Sequence, residues 1–342
     1  MRAMQLERIA KLDGARAPLS AAECSLPSIG QDEILVRIST CGVCHTELDE
    51  IEGRMPPPHL PVIPGHQVIG RIVDRGKSVQ RMQEGDRVGI AWIFFACGKC
   101  KFCLVGQENL CVDFQATGRD ANGGYAEYIK IRESFAFPIP EVFSDAEAAP
   151  LLCAGAIGYR SMRLSQVKNG ERLGLTGFGA SAHLVLKMAR HRFPDSPIFV
   201  FARSRTEQEF ARHLGAGWAG DTMETPPERL DAIIDTTPVW KPIVQALKNL
   251  EPGGRLIINA IRKEDADKSI LSEINYTDHL WLEKEIKTVA NVTRRDVAEF
   301  LQLAAEIPIK PEFEEFSFED ANRALVELKE GKIRGAKVLR IH

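Results

Sequence analysis

A short apolar run, Leu173-Gly174-Leu175-Thr176, leads straight into Gly177-Phe178-Gly179-Ala180-Ser181-Ala182 and then into a helix-like stretch at 180–191. A strand, a glycine turn and a helix in that order leave few folds open. Gly177 permits the tight turn, and Gly179 lets backbone come close to a pyrophosphate. The small Ala182 lets the helix lie on the strand, with its N-terminal N–H groups facing the anion. Downstream, apolar strands at 198–201, 232–235 and 255–258 alternate with amphipathic stretches at 206–214 and 239–250. That alternation predicts an α/β region with a doubly wound parallel sheet. The GxGxxA turn within it predicts a dinucleotide site.

The residues after 198–201 bear on which dinucleotide. An acid there accepts from both ribose hydroxyls and marks NAD. Here the chain reads Ala202-Arg203-Ser204-Arg205. An acid would repel a 2′-phosphate, whereas guanidinium groups bind one through paired hydrogen bonds. Arg203, Ser204 and Arg205 therefore predict NADP(H), with NAD(H) as the alternative.

Before about residue 144 the texture is different. Short β-like runs at 34–38, 68–73, 87–91 and 125–131 are bounded by turn signals such as Arg75-Gly76 and Glu84-Gly85-Asp86, which predicts a mainly β domain. Residues 280–342 read as a strand at 287–290, helices at 295–305 and 318–329, and a closing strand near 337–341; Ser317 is the N-cap candidate of the second helix.

Four of the eight cysteines crowd together as Cys97-x2-Cys100-x2-Cys103-x7-Cys111. Thiolates three residues apart converge from one tight loop, and four complete the tetrahedral shell of Zn²⁺, so the site they form is structural. An iron–sulfur cluster is the competing assignment. The chain has no second such run and no proline after Cys111 to support it.

Cys44, His66 and Cys153 stand out by chemistry rather than spacing, and two thiolates with one imidazole leave a fourth zinc position for water or substrate. What joins them is a resemblance. GVCHTE at 42–47, PGH at 64–66, EGDRVGI at 84–90, CGKCKFC with Cys111, GGYAEY at 123–128, LLCAG at 151–155, the GxGxxA turn and KIRGAKVL at 332–339 resemble the zinc-dependent medium-chain alcohol dehydrogenases over essentially the whole chain. The resemblance implies a GroES-like catalytic domain at 1–150 and 291–342, carrying both zinc sites, and a Rossmann domain at 151–290. It implies that Cys44, His66 and Cys153 hold a catalytic zinc and the other four cysteines a structural one, two Zn²⁺ per chain.

By the same resemblance Thr46 passes a proton to or from the substrate oxygen, and Arg294 reaches the cofactor pyrophosphate. Glu47 is expected to accept a hydrogen bond from the free nitrogen of His66. Asp49 stands where relatives carry a relay histidine, and Gln67 where they carry glutamate; Ile157 replaces a threonine near the nicotinamide. Trp92, Ile93 and Phe94 fall where substrate-pocket walls lie. The expected reaction is hydride transfer between a nicotinamide cofactor and a small primary or secondary alcohol, aldehyde or ketone. An aldehyde-specific NADPH reductase of the same fold and a non-catalytic cofactor-binding homologue are the alternatives. A homodimer or homotetramer is implied.

Composition limits partners. With 44 Lys and Arg against 47 Asp and Glu, the net charge of −3 gives no basis for binding nucleic acid or an anionic membrane. No run approaches bilayer length, and 1–18 lacks a leader-like apolar core. A cytoplasmic location is the expectation.

Overall fold

The computed structural model describes residues 1–12, 17–307, 309–331 and 335–342. The start of the KIRGAKVL stretch, 332–334, lies outside the described residues. The chain divides into two compact units: Met1–Cys153 with Val292–His342, and Ala154–Asn291.

The first unit is built on one long strand, Glu33–Val43, whose Ile34, Val36 and Ile38 are wholly buried. One edge pairs antiparallel with Val68–Arg75, and that pairing slips register at two places. Each slip bends the strand and tightens its twist. The other edge is shared. Residues 33–37 pair with Tyr128–Arg132, and 40–43 pair with the C-terminal strand Ala336–Arg340. Arg87–Ile90, Ala136–Pro138 and Phe313–Ser317 complete seven strands, of which only Phe313–Ser317 and Ala336–Arg340 run parallel to each other. Lys337 is buried beneath this end of the sheet. Its Nζ donates to Glu314 and Glu327, each at 2.9 Å, and lies 4.5 Å from the centre of the Phe316 ring.

Three predicted elements shift for physical reasons. The predicted strand 125–131 begins only at Tyr128, because Gly123, Gly124 and Tyr125 donate their N–H groups to Ile63, Gly65 and Pro64. The predicted helix 318–329 opens with a 3₁₀ turn, Phe318–Asp320, and becomes α-helical at Ala321–Lys329. There Asp320 accepts from the Ser317 hydroxyl at 2.8 Å and from Arg323. The strand expected at 287–290 lies at Glu285–Thr288, where a two-pronged Arg255–Glu285 pair (2.9 and 2.6 Å) fixes its register.

The second unit is a six-stranded parallel sheet. Its order is Trp218–Gly220, Ile198–Phe201, Leu173–Thr176, Leu230–Asp235, Leu250–Ile258 and Glu285–Thr288. The two strands beside Leu173–Thr176 are reached in opposite directions, which opens a crevice at its carboxyl end. Leu173–Thr176 and Ile198–Phe201 are buried throughout, as strands covered on both faces must be.

Glycines in the first unit let backbones meet at the 63–65 loop. A Cβ on Gly123 would sit 2.1 Å from the Gly65 carbonyl oxygen, and one on Gly118 2.7 Å from the Gly65 nitrogen. Gly123→Ala is therefore expected to cost about 1–3 kcal/mol of stability, read as a lowered denaturation midpoint. An unchanged midpoint would show that the loop can yield.

Candidate metal centres and cofactor turn

Local structure carries each member of the three-residue group. Cys44 follows the long strand and N-caps the helix His45–Ile51; its N–H donates to Glu47 Oε2 at 2.8 Å. His66 follows Gly65, whose φ of +98° and contact with Tyr125 and Cys41 leave no room for a side chain. Cys153 sits in a π-helical turn, Leu151–Gly155, between the helices Asp145–Pro150 and Ala156–Ser165. Such turns widen the helix and re-aim side chains, and they recur at functional sites.

The ligand atoms of Cys44, His66 and Cys153 all lie within 4.8 Å of one another. Glu47 and His66 are 0 % and 1 % exposed, with Glu47 Oε1 2.6 Å from His66 Nδ1. That contact turns Nε2 toward the sulfurs, and buried Nε2 has no hydrogen-bond partner. An unpaired buried imidazole nitrogen beside two sulfurs is what a metal ion would satisfy. The sulfur spacings agree: 3.9 Å for Cys44–Cys153 and 4.0 Å for Cys97–Cys103. Both are close to the ~3.8 Å edge of a tetrahedron with ~2.3 Å metal–sulfur bonds.

Charge in the group is shared. The hydrogen bond with Cys153 and the neighbouring His66 hold Cys44 well below the usual thiol range, while the same bond and burial push Cys153 well above it. Burial works to lower His66, but Glu47 and Cys44 outweigh it and raise the imidazole. Burial raises Glu47, partly offset by His66.

The four cysteines 97, 100, 103 and 111 form a second group within the same 4.8 Å limit. Gly98 and Gly106, at φ of +72° and +69°, turn the loop back on itself. The N–H groups of Cys97 and Asp113 point at Cys111 Sγ, at 3.3 and 3.4 Å. The backbone N–H of Cys103 and its thiol lower Cys100 to about 6, whereas burial pushes Cys103 up to about 12. None of the eight cysteines is in a disulfide.

The remaining site residues are placed as follows. Thr46 is buried, its Oγ1 3.7 Å from Cys44 Sγ. Asp49 is also buried, with Arg54 Nε 2.5 Å from its Oδ1; Arg54 also pairs with Glu52, and Glu52 with Lys329. Gln67 folds against Gly42, where a Cβ would meet its Oε1 at 2.3 Å. Trp92 lies edge-on to His66, ring centres 5.0 Å apart; Ile93 is in the core, and Phe94 is half-buried. Arg294 gives its Nε to Glu108 at 2.8 Å and lies over the Phe135 ring. The Ile157 carbonyl accepts from Ser161.

In the second unit Gly177 has φ +77°, and a Cβ there would meet Thr236 and Thr237 at 2.9 Å. Gly179 faces open space at the start of the helix Ala180–Arg192, and a Cβ there would meet no atom within 4 Å. Ala182 is wholly buried. Arg203 and Arg205 are exposed and make no ion pair among the described residues. Ser204 caps the helix Arg205–His213: its hydroxyl accepts the Glu207 N–H and donates to the Glu207 carboxylate at 2.8 Å.

Sequence reading alone does not find the Trp92–His66 contact, the Arg54 partner of Asp49, or buried Glu50, whose Oε1 lacks a hydrogen-bond partner. Burial, then repulsion from Glu47, drives the Glu50 carboxyl well above its usual range. Only its place one helical turn beyond Glu47 offers a signal.

Comparison with known proteins agrees with this architecture. Residues 30–141 match the alcohol dehydrogenase GroES-like domain. The chain is 40% identical to "Probable alcohol dehydrogenase AdhA" of Mycobacterium tuberculosis, covering 100% of this chain and 97% of the relative. It is 32% identical to an alcohol dehydrogenase of Geobacillus stearothermophilus, covering 94% and 96%. A solved structure, CAD from Helicobacter pylori complexed with NADP(H), superposes with a TM-score of 0.84 at 24% identity, covering 99% and 97%. The chain belongs to the alcohol dehydrogenases of the medium-chain dehydrogenase/reductase superfamily.

Proposed function

We propose that this alcohol dehydrogenase holds two zinc ions per chain, prefers NADP(H), and interconverts a small primary or secondary alcohol with its aldehyde or ketone. The convergence of Cys44, His66 and Cys153 within 4.8 Å carries the reading. Bound there, zinc would supply Lewis acidity to the substrate oxygen, and the nicotinamide would carry the hydride.

The chain's own residues supply the rest. Glu47 fixes the His66 ring so that Nε2 is the ligand atom. Thr46, beside Cys44, passes a proton at Oγ1, accepting one as it gives one up, and so takes on no charge. Asp49 acts beyond it with Arg54 alongside, so the guanidinium offsets the carboxylate that replaces the relay histidine. Arg203 and Arg205, free of ion pairs, support a 2′-phosphate, and Ser204 supports it through the capped helix end. Arg294 makes no hydrogen bond through its terminal nitrogens among the described residues and remains the pyrophosphate candidate.

Among the described residues no helix is long and apolar enough to cross a membrane. Exposed Tyr276, Trp281, Leu282 and Ile286 lead into and along the outer strand of the parallel sheet, which supports a homodimer or homotetramer.

Metal analysis is the first test. Zinc should fall from about two to about one per chain in Cys153→Ser, together with loss of NADPH-driven aldehyde reduction. Two zinc ions with no hydride transfer to any aldehyde in the unaltered protein would leave the non-catalytic homologue standing.

Thr46→Ala should lower kcat by roughly 10²–10⁴-fold with zinc content and melting temperature unchanged; a change below threefold would remove Thr46 from the proton path. Arg203→Asp should cut the NADPH-over-NADH ratio of kcat/KM by roughly 10–100-fold, the loss of one charge-assisted phosphate contact. A ratio that stays put would take the arginine out of cofactor selection.

A further inference from the structure

Asp235 and Lys263 form a buried ion pair that the chemistry above does not use. Asp235 ends the strand Leu230–Asp235 and is wholly buried. The Lys263 side chain is 7 % exposed; its Nζ lies 2.5 Å from Asp235 Oδ2 and donates to the carbonyls of Thr237 at 2.7 Å and Val239 at 3.0 Å. All three N–H donors are spent, so the lysine offers nothing directly to a ligand.

What it does is fasten two segments to one strand end. The 236–239 turn is held by its two bonds to Lys263 and by the Thr237 hydroxyl, which donates to Asp235 Oδ1 at 2.8 Å. The segment that carries Lys263 leaves the strand Leu250–Ile258 at Asn259, whose N–H donates to the Asp235 carbonyl at 2.7 Å. It is pinned again where Glu264 N–H meets the Pro238 carbonyl, and where Asp267 accepts from the N–H groups of Trp240 and Lys241.

The fastened turn borders the glycine turn, because Thr236 and Thr237 are the residues a Cβ on Gly177 would strike. In a doubly wound sheet the half that contains Ile198–Phe201 takes the adenosine side of a dinucleotide, and the half that begins with Leu230–Asp235 takes the other. A buried ion pair is seldom a gain in stability over apolar packing; here it reaches three acceptors from one point, which an apolar side chain cannot do.

We propose that Lys263 is a positioning residue for the cofactor, holding the 236–239 turn as the wall against which the nicotinamide half is seated. The proposal rests on the dinucleotide reading of the glycine turn.

The test compares two ligands on the zinc-loaded protein by fluorescence and calorimetric titration: NADPH, and 2′,5′-ADP, which is its adenosine half. The variant is Asp235→Asn with Lys263→Met, which leaves no buried charge unpaired. NADPH affinity should fall by about tenfold while that for 2′,5′-ADP changes less than twofold. Asp235→Asn with Lys263→Gln keeps amide donors for the two carbonyls and should recover most of the NADPH affinity. Equal losses for both ligands would reduce the pair to a structural role and overturn the proposal, as would no loss for either. Unaltered protein that binds neither these ligands nor NADH would remove the dinucleotide reading, and this proposal with it.

Discussion

The contact between Glu47 and His66 sets the terms for the first unit. Two ionisable side chains are buried together at 2.6 Å, and each must find partners in a place water does not reach. Glu47 does so by turning one oxygen to the ring and the other to the Cys44 N–H. The ring then has a single nitrogen left, and two sulfurs in front of it. The backbone has to come very close for this to happen, which is why Gly65, Gly118 and Gly123 meet almost atom to atom behind the histidine. A side chain at Gly118 or Gly123 would strike the backbone of Gly65, the residue before His66.

The second unit solves a different problem. Its central strands, Leu173–Thr176 and Ile198–Phe201, are buried on both faces, so nothing along them can hold a polar ligand. Recognition is confined to the carboxyl ends, where the turn at Gly177, the Ala202–Arg205 corner and the 236–239 turn stand side by side with the strand order. Polar side chains there are committed to backbone: Ser204 to its helix, Thr236 to the Thr176 carbonyl, and Lys263 to Thr237 and Val239. Arg203 and Arg205 make no ion pair among the described residues.

The central strands of the second unit are legible in the sequence because they are short, apolar and sharply bounded, and the strand at 198–201 occupies the same four residues in the structure. The edge strand Trp218–Gly220 gives no such signal. The four-cysteine loop is legible from spacing alone. Cys44, His66 and Cys153 are not, since they come from a strand end, a loop and a π-turn, and family likeness is what joins them. Asp49–Arg54 and Asp235–Lys263 carry no pattern at all. Each pair is made by a turn whose path depends on packing, so neither partner announces the other. The boundary of the 318–329 helix is lost because Ser317 gives its hydroxyl to the Asp320 carboxylate and caps only a 3₁₀ turn, so that the α-helix begins at Ala321.

The shared edge of the long strand has a further consequence for how the protein comes into being. The second unit is one continuous stretch, Ala154–Asn291, and it is complete in the nascent chain while 51 later residues of the first unit, Val292–His342, are still to be made. Until those residues arrive, the edge of the strand at 40–43 has no neighbour, and Val43, the partner of Lys337, is next to Cys44. Synthesis runs from N- to C-terminus, and domains fold as units. The part of the molecule that holds the candidate metal ligands is therefore begun before the second unit and closed after it, by the strand Ala336–Arg340.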